Sequence, residues 1–183
     1  MALLVVIVWG ANFTVIRLGL NGVPSMLLVA FRYILVAFPA VFFIKKPNIE
    51  LKYILAYGLT VGVGQFACMF YSMEIGMPAG LASIIAQLQA FITPFFAAVI
   101  FKEKIKPKQF IGFAIAAIGL ILIGIASVSD GVSSIPLKAL LLIICAPIFW
   151  SISNIVIRLA SDKLISRGDK LNMLSMIVWS SLV

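Results

Sequence analysis

Six apolar runs divide the sequence, each about as long as the roughly 20 residues that a helix needs to cross a bilayer. Glycines and prolines lie in the short connections between them. Because backbone groups in the bilayer core must satisfy one another, such runs fold as helices. The sequence therefore predicts an all-α membrane protein, a polytopic helical bundle. The runs are residues 1–20, 25–44, 53–71, 81–101, 110–126 and 137–157, and a seventh starts at residue 171.

Composition supports this class. The chain is 63% hydrophobic and 11% charged, whereas a soluble domain carries about 25% charged residues. The net charge of +8 does not indicate a nucleic-acid partner, because the basic residues form no single patch. They lie between the apolar runs, where they are typical of topology signals beside membrane lipid.

Enzyme chemistry is not expected. The sequence has no histidine, and its six acidic residues lie in or beside predicted loops. Cys68 and Cys145 each fall within an apolar run, which favours free thiols over a disulfide. These residues offer no metal-ligand cluster, no nucleophile with a base and no site for a cofactor.

The distribution of charge predicts the orientation. Eleven of the fourteen basic residues lie on one side of the predicted bundle, in the second, fourth and sixth connections. By the positive-inside rule, this side and the amino terminus are cytoplasmic, as in a multi-pass protein of the cell (inner) membrane. The eleven are Lys45, Lys46, Lys52, Lys102, Lys104, Lys106, Lys108, Arg158, Lys163, Arg167 and Lys170.

One segment of the first run recurs in the sixth. Residues 7–18 read IVWGANFTVIRL and residues 148–159 read IFWSISNIVIRL, with identical residues at six of twelve positions. Five spans separate the two starts, and because five is odd the copies run in opposite directions. That arrangement predicts inverted-topology repeats, which many secondary carriers use to move about a site near the bilayer midplane.

Polar side chains within the runs mark candidate cavity-facing positions. Trp9 and Asn12 share one helix face, and so do Trp150 and Asn154. Within a bilayer such groups face the bundle or a water-filled cavity. The alternative is that they only hold helices together, at about 0.6 kcal/mol for each hydrogen bond. Two further stripes follow helical spacing, Gln65, Cys68 and Ser72 in the third run and Ser83 and Gln87 in the fourth, with Gln89 and Thr93 beside it.

Two arginines lie in apolar parts of the first two runs. Arg17 is near a run end, where its side chain can reach the headgroups. Arg32 is eight residues past Pro24, or about 12 Å along a helix, so it requires a carbonyl, a phosphate or an anionic substrate group as partner. No acid lies deep in a span, which favours exchange or facilitated export over a proton-driven pump.

Small residues are spaced along the fifth run. Gly112, Ala116, Gly119 and Gly124 present little side-chain bulk, which favours close helix packing. We expect that packing to lie within the bundle, with a second molecule, as in a homodimer, as the alternative.

The sequence resembles the EamA-like transporters of the drug/metabolite transporter superfamily. The resemblance rests on ALLVVIVWGANFTVIRLGL at residues 2–20, FRYILVAFPAVFF at 31–43, GMPAGLASIIAQLQAF at 76–91, and FKEKI at 101–105 followed by Gly112 and Gly119. The first three stretches are similar to the O-acetylserine/cysteine exporter type. Glu103 matches the acid of the family's basic loop.

The resemblance implies a ten-helix carrier of two inverted five-helix repeats around a central cavity. Residues 1–126 would be the first repeat, 127–136 a connecting loop and 137–183 the start of the second. The chain would then be a fragment of about six and a half spans. The implied substrate-binding residues are Trp9, Asn12, Gln65, Gln87, Trp150 and Asn154. We add Arg32 to this set because it lies deep within the second run.

The predicted function is therefore export of a small-molecule substrate, an amino acid such as cysteine or O-acetylserine, by alternating access. Two alternatives stay open. A multidrug or cation exporter of the same superfamily would need an acid in the cavity. A non-transporting membrane scaffold would use the glycine-rich fifth run for packing.

Overall fold

The computed structural model describes residues 2–129 and 135–183. Within them the chain is helical, without a β-strand, and four segments are long and apolar enough to cross a membrane: Ser25–Phe43, Leu51–Glu74, Ala79–Phe101 and Leu137–Ile165. The prediction of a polytopic helical membrane protein is confirmed. The elements are α1 (Ala2–Gly19), α2 (Ser25–Ala37), α3 (Ala40–Phe43), α4 (Leu51–Gly58), a π-helical segment (Leu59–Ala67), α5 (Cys68–Glu74), α6 (Ala79–Ala86), α7 (Gln89–Phe101), α8 (Pro107–Ser129), α9 (Leu137–Ile165) and α10 (Met173–Ser180).

Prolines mark where several helices begin. Pro24, Pro78 and Pro136 are the cap residues of α2, α6 and α9, and Pro107 is the first residue of α8. Proline suits these places because the first turn of a helix needs no donor from its backbone nitrogen. The prolines in the predicted connections therefore mark the starts of the helices that follow them.

Two predicted spans are interrupted. The second breaks before Pro39, which caps the short α3. The fourth breaks at Gln87 and Leu88, between α6 and α7. Pro94 lies inside α7, and a proline ring clashes with the carbonyl four residues earlier, which distorts the preceding turn. At the break itself, the backbone nitrogens of residues 87 and 88 bond to the carbonyls three residues earlier, those of 84 and 85, rather than four residues earlier.

The sixth span is longer than hydropathy indicated. α9 continues to Ile165, eight residues beyond the predicted end at residue 157. Hydropathy detects where the apolar surface ends, but a helix can continue into the polar region when its side chains find partners there. Arg158 and Lys163 do so, because each pairs with a carboxylate of a distant loop.

The predicted connecting loop is only partly described. α8 extends to Ser129, so residues 127–129 are helical rather than loop. Asp130 and Gly131 lie outside the described residues. The division into two repeats stays a prediction.

Two buried clusters hold the bundle together. The larger joins α1, α2, α5, α6 and α9 through residues that include Phe13, Val29, Phe70, Ala82 and Ile143. The smaller lies toward the basic end, the side of the bundle that carries the eleven basic residues. It consists of Ile49, Ile54, Ala160, Leu164 and Met176. The helices between these clusters are therefore fixed at both ends.

Helix α9 is the central element. It packs against α4, the π-helical segment, α5, α6 and α7. Gly64 allows the closest approach, because a Cβ placed there would overlap the Phe149 side chain. Ser72 of α5 donates a 2.8 Å hydrogen bond to the carbonyl of Ala139. Ser72 thus joins two helices rather than lining a polar path.

Two expectations concern the fifth run and the cysteines. A Cβ added at Gly112 or Gly119 would meet no described atom within 4 Å. The expectation that these glycines pack within the bundle is therefore wrong over the described part of the chain, and packing against a second molecule stays a prediction.

Cys68 and Cys145 are free thiols, as predicted.

At the end of the bundle opposite the basic one, polar side chains bind backbone groups. Arg17 donates a 3.0 Å hydrogen bond to the carbonyl of Met73. The Glu74 carboxylate accepts one of 3.1 Å from the backbone nitrogen of Ser25, where the dipole of α2 favours negative charge. Whether Arg17 also reaches the headgroups stays a prediction.

At the basic end, ion pairs join α9 to two loops. Glu50 pairs with Lys163 and, at 2.7 Å, with Lys52; these two ammonium groups lower the pKa of Glu50 to about 2. Glu103, in the connection after α7, pairs with Arg158, whose Nη1 lies 3.1 Å from Oε2, and this contact lowers the pKa of Glu103. Both carboxylates are therefore ionised at neutral pH.

Candidate functional site

A cavity lies between the two buried clusters. Its two lobes have volumes of about 160 Å³ and 360 Å³. They adjoin one another, because five residues line both, Trp9, Arg32, Gln65, Phe66 and Trp150. The larger lobe is by itself in the size range of small-ligand sites.

The two tryptophans of the repeated motif meet in this cavity. The rings of Trp9 and Trp150 are stacked with their centroids 5.0 Å apart and an angle of 19° between their planes. Aromatic pairs in such geometry contribute about 0.5–1.5 kcal/mol beyond the area they bury. The copies of the motif are thus in contact, and together they form a flat aromatic wall.

Arg32 places a positive charge in the cavity. Its guanidinium donates a 3.3 Å hydrogen bond to the Asn12 side-chain oxygen and lies 4.2 Å from the centroid of the Phe66 ring. The described residues place no carboxylate within 4.0 Å of it. Because a guanidinium has five donors, most of them are left for another partner.

Gln65 enters the cavity from the π-helical segment. It is only 5% exposed and lines both lobes. Short π-helical insertions often occur at functional sites, because the wider turn alters which side chains face inward. Cys68, predicted on the same face, instead packs against the larger buried cluster.

Asn154 belongs to a polar network between α7 and α9. Its amide nitrogen lies 3.4 Å from the Gln89 side-chain oxygen and 3.3 Å from the Thr93 hydroxyl. The hydroxyl of Ser151 also approaches the Gln89 carbonyl at 3.4 Å. Thus Gln89 and Thr93, which the sequence placed on a neighbouring stripe, are the partners of Asn154.

Gln87 lies apart from these groups. Its side chain is exposed and lines a separate cavity of about 390 Å³ that also includes Trp9 and Ser83. Trp9 lines this cavity as well as the one that holds Arg32. The structure brings six of the seven predicted residues together along the two lobes, whereas Gln87 lines only the separate cavity.

Two tyrosines of the cavity were not predicted as site residues. Tyr33 and Tyr57 line the larger lobe, and the Tyr33 ring packs edge-on against Phe66, 6.2 Å between centroids. The Tyr33 hydroxyl is buried and has no hydrogen-bond partner among the described residues. Tyr33 could have been found from its position directly after Arg32, which lies deep within an apolar run. Tyr57 gave no comparable signal within its apolar run.

The cavity is built for polar and aromatic contact rather than for metal binding. Across residues 2–129 and 135–183, no group of three or more His, Cys, Asp or Glu side chains is placed to hold a metal ion. A small solute that carries a negative group would find the Arg32 guanidinium, amide side chains and an aromatic wall. Such a set recognises charge and hydrogen-bonding groups.

Comparison with known proteins agrees with this description. Residues 1–125 match the EamA-like transporter family. The chain is 41% identical over 183 residues to a "Probable amino-acid metabolite efflux pump" of Salmonella typhimurium (strain LT2) and 38% identical over 185 residues to one of Escherichia coli (strain K12). Both matches cover 100% of the chain.

The chain spans 59% of the length of each of these relatives. No solved structure matches it. The family match covers more than half of the chain and includes α1, α2, α4, the π-helical segment and α5, which together carry more than half of the residues that line the two lobes. This chain therefore belongs to the EamA-like transporter family.

Proposed function

We propose that this chain acts in the export of small amino-acid metabolites such as cysteine or O-acetylserine. The observation that carries the proposal is the Arg32 guanidinium, which lies in a polar and aromatic cavity with no carboxylate partner among the described residues. The names of both relatives, probable amino-acid metabolite efflux pumps, support the same substrate class.

An amino acid fits the chemistry of the cavity. Its carboxylate can accept paired hydrogen bonds from Arg32, and such charge-assisted bonds are about twice as strong as neutral ones. The side-chain oxygens of Gln65 and Asn154 can accept hydrogen bonds from an ammonium group. Trp9 and Trp150 supply a flat apolar surface for the short side chain.

We further propose that the substrate moves by alternating access, with the basic end in the cytoplasm. The ion pairs of Glu50 with Lys163 and of Glu103 with Arg158 join α9 to both loops at that end. Access from the cytoplasm then requires these pairs to separate. Exposed pairs are worth about 0.2–1 kcal/mol each, which is weak enough to break during a transport cycle.

The function is tested by efflux of labelled cysteine and O-acetylserine from cells that express the chain. A second culture carries the same gene read through Val183 to its next stop codon. We expect the longer form to lower the intracellular label compared with cells that lack the gene. If neither form exports either compound although both insert in the membrane, the proposed substrate class is wrong.

Export of a labelled organic cation in the same cells would favour the multidrug alternative. Transport of no probe, with normal insertion, would favour the scaffold.

Alternating access is tested by charge reversal at the basic end. Ile157 lines the larger lobe and is partly exposed, so an Ile157→Cys variant that lacks the native cysteines reports cavity access to a thiol reagent applied from the cytoplasmic side. Either Glu103→Arg or Arg158→Glu alone should speed labelling by up to about fivefold, the population shift that corresponds to about 1 kcal/mol.

The double reversal of Glu103 and Arg158 is the matched control. It restores an ion pair with the charges exchanged, so labelling should return toward the slow rate. Equal labelling rates in all four proteins would show that this contact does not control access.

A further inference from the structure

A second cavity lies at the basic end, away from the cavity that holds Arg32. It has a volume of about 200 Å³ and lies between the connection after α3 and the connection after α9. We call it the basic cleft. Its lining residues are Lys45, Lys46, Pro47, Asn48, Leu164, Asp169, Lys170, Asn172 and Ser175.

The walls of the basic cleft are held in place by α10. The indole nitrogen of Trp179 donates a 2.9 Å hydrogen bond to the carbonyl of Ile44, and the Ser175 hydroxyl donates one to the carbonyl of Lys45. Across the cleft, the amide of Asn48 lies 3.4 Å from the Asp169 carboxylate. The backbone that carries the lysines is therefore fixed before any ligand binds, which lowers the entropic cost of binding.

The basic cleft has an excess of positive charge. Three lysines and one aspartate line it, and no described carboxylate lies within 4.0 Å of the ammonium groups of Lys45, Lys46 or Lys170. The neighbouring cations Lys52, Lys163 and Arg167 differ from these three lysines, because each of them has the Glu50 carboxylate as a partner. The cleft thus brings together three cations that have no described carboxylate partner, and an anion would balance them.

The surroundings of the cleft indicate an anion with apolar chains. Phe42 and Phe43 end α3, with only Ile44 between them and Lys45, and are 74% and 83% exposed. Leu174, beside the cleft residue Ser175, is exposed as well. A phosphate held by lysines, with acyl chains along an apolar helix surface, is the chemistry of a phospholipid at the edge of the bilayer.

We propose that the basic cleft binds the phosphate-bearing headgroup of an anionic phospholipid. The lysine ammonium groups contact the phosphate, and the acyl chains lie against the exposed face that ends at Phe43. This site is independent of the substrate cavity, since the two share no lining residue.

The test is native mass spectrometry of the detergent-solubilised chain titrated with phosphatidylglycerol or phosphatidylcholine. We expect phosphatidylglycerol to bind more tightly. A lysine near the headgroups contributes roughly fivefold in affinity, so replacing all three lysines of the cleft by glutamine should weaken phosphatidylglycerol binding on the order of a hundredfold. Phosphatidylcholine binding should not change.

A matched triple variant separates the cleft from general charge. Lys104, Lys106 and Lys108 belong to the same basic end but do not line the cleft, and their replacement by glutamine should leave the preference for phosphatidylglycerol intact. Equal losses in the two triple variants would overturn the proposal.

The Asp169→Asn variant should change the affinity in the opposite direction. It keeps an acceptor for Asn48 and removes the negative charge, so phosphatidylglycerol should bind more tightly.

Competition with inorganic phosphate distinguishes a lipid headgroup from a soluble anion as the ligand of the basic cleft. If millimolar phosphate displaces phosphatidylglycerol completely, the cleft is a site for a soluble anion and the lipid assignment is wrong. If the lysine triple variant does not fold, Lys170→Gln alone should still weaken phosphatidylglycerol binding by roughly fivefold, and an unchanged affinity would overturn the proposal.

Discussion

Replacing Arg32 by glutamine should reduce cysteine efflux by about tenfold to a hundredfold without loss of the protein from the membrane. Hydrogen bonds to charged groups contribute about 1.5–3 kcal/mol, and each 1.4 kcal/mol corresponds to a factor of ten. Arg32→Lys should be intermediate, because it keeps the charge but loses the planar fork and its contact with Phe66. The measurement is initial efflux rate against the amount of inserted protein.

Arg17→Gln is the matched control, since it removes the same charge from a residue outside the cavity whose described partner is the Met73 carbonyl. A purely structural role of Arg32 would reduce transport of every solute equally. Binding of a carboxylate predicts more: the preference for cysteine over cysteamine, which lacks the carboxylate, should disappear in Arg32→Gln. A preserved preference would contradict the assignment.

Replacing Gly64 by alanine should destabilise the bundle by up to about 2 kcal/mol. Alanine favours a helix over glycine by about 1 kcal/mol, but here the added Cβ would overlap the Phe149 side chain. The overlapped atoms include the Cβ and Cγ of Phe149, which move only if α9 moves, and overpacking of this kind costs about 1–3 kcal/mol or more. The melting temperature of the detergent-solubilised protein measures the effect.

Gly80 offers the matched control, because an added Cβ there meets no described atom within 4 Å. Gly80→Ala should therefore leave the melting temperature unchanged or raise it. The Phe149→Ala change should recover part of the stability lost in Gly64→Ala, which a double-mutant cycle would detect as coupling. A melting temperature unchanged by Gly64→Ala would show that α9 is not packed tightly against the π-helical segment.

The main elements of the fold could be predicted because each run is apolar over the full width of a bilayer. The interruptions could not. The run stays apolar on both sides of residues 87 and 88, and no glycine or proline lies at these positions to indicate that α6 ends there. The end of α9 was missed because contacts of Arg158 and Lys163 with distant loops keep the helix intact past its apolar part.

The same interruptions explain where the arrangement of the predicted site residues differs from that of a regular helix. Assigning Gln87 to the cavity face assumed one continuous helix of 3.6 residues per turn. A break at residues 87 and 88 rotates α7 relative to α6, so that Gln89 and Thr93 meet Asn154 while Gln87 stays exposed. Arg32, Asn12 and the two tryptophans were placed together because α1, α2 and this part of α9 are regular.

The stacked tryptophans also have a spectroscopic consequence. Trp9 belongs to α1 and Trp150 to α9, and their rings are close enough for each to alter the electronic environment of the other. Any movement that separates the two helices changes the fluorescence of both indoles together. The chain has three tryptophans, and the third, Trp179, is hydrogen-bonded to Ile44 at the basic end. The protein thus carries an intrinsic optical reporter of the distance between its repeated motifs, and no dye needs to be attached.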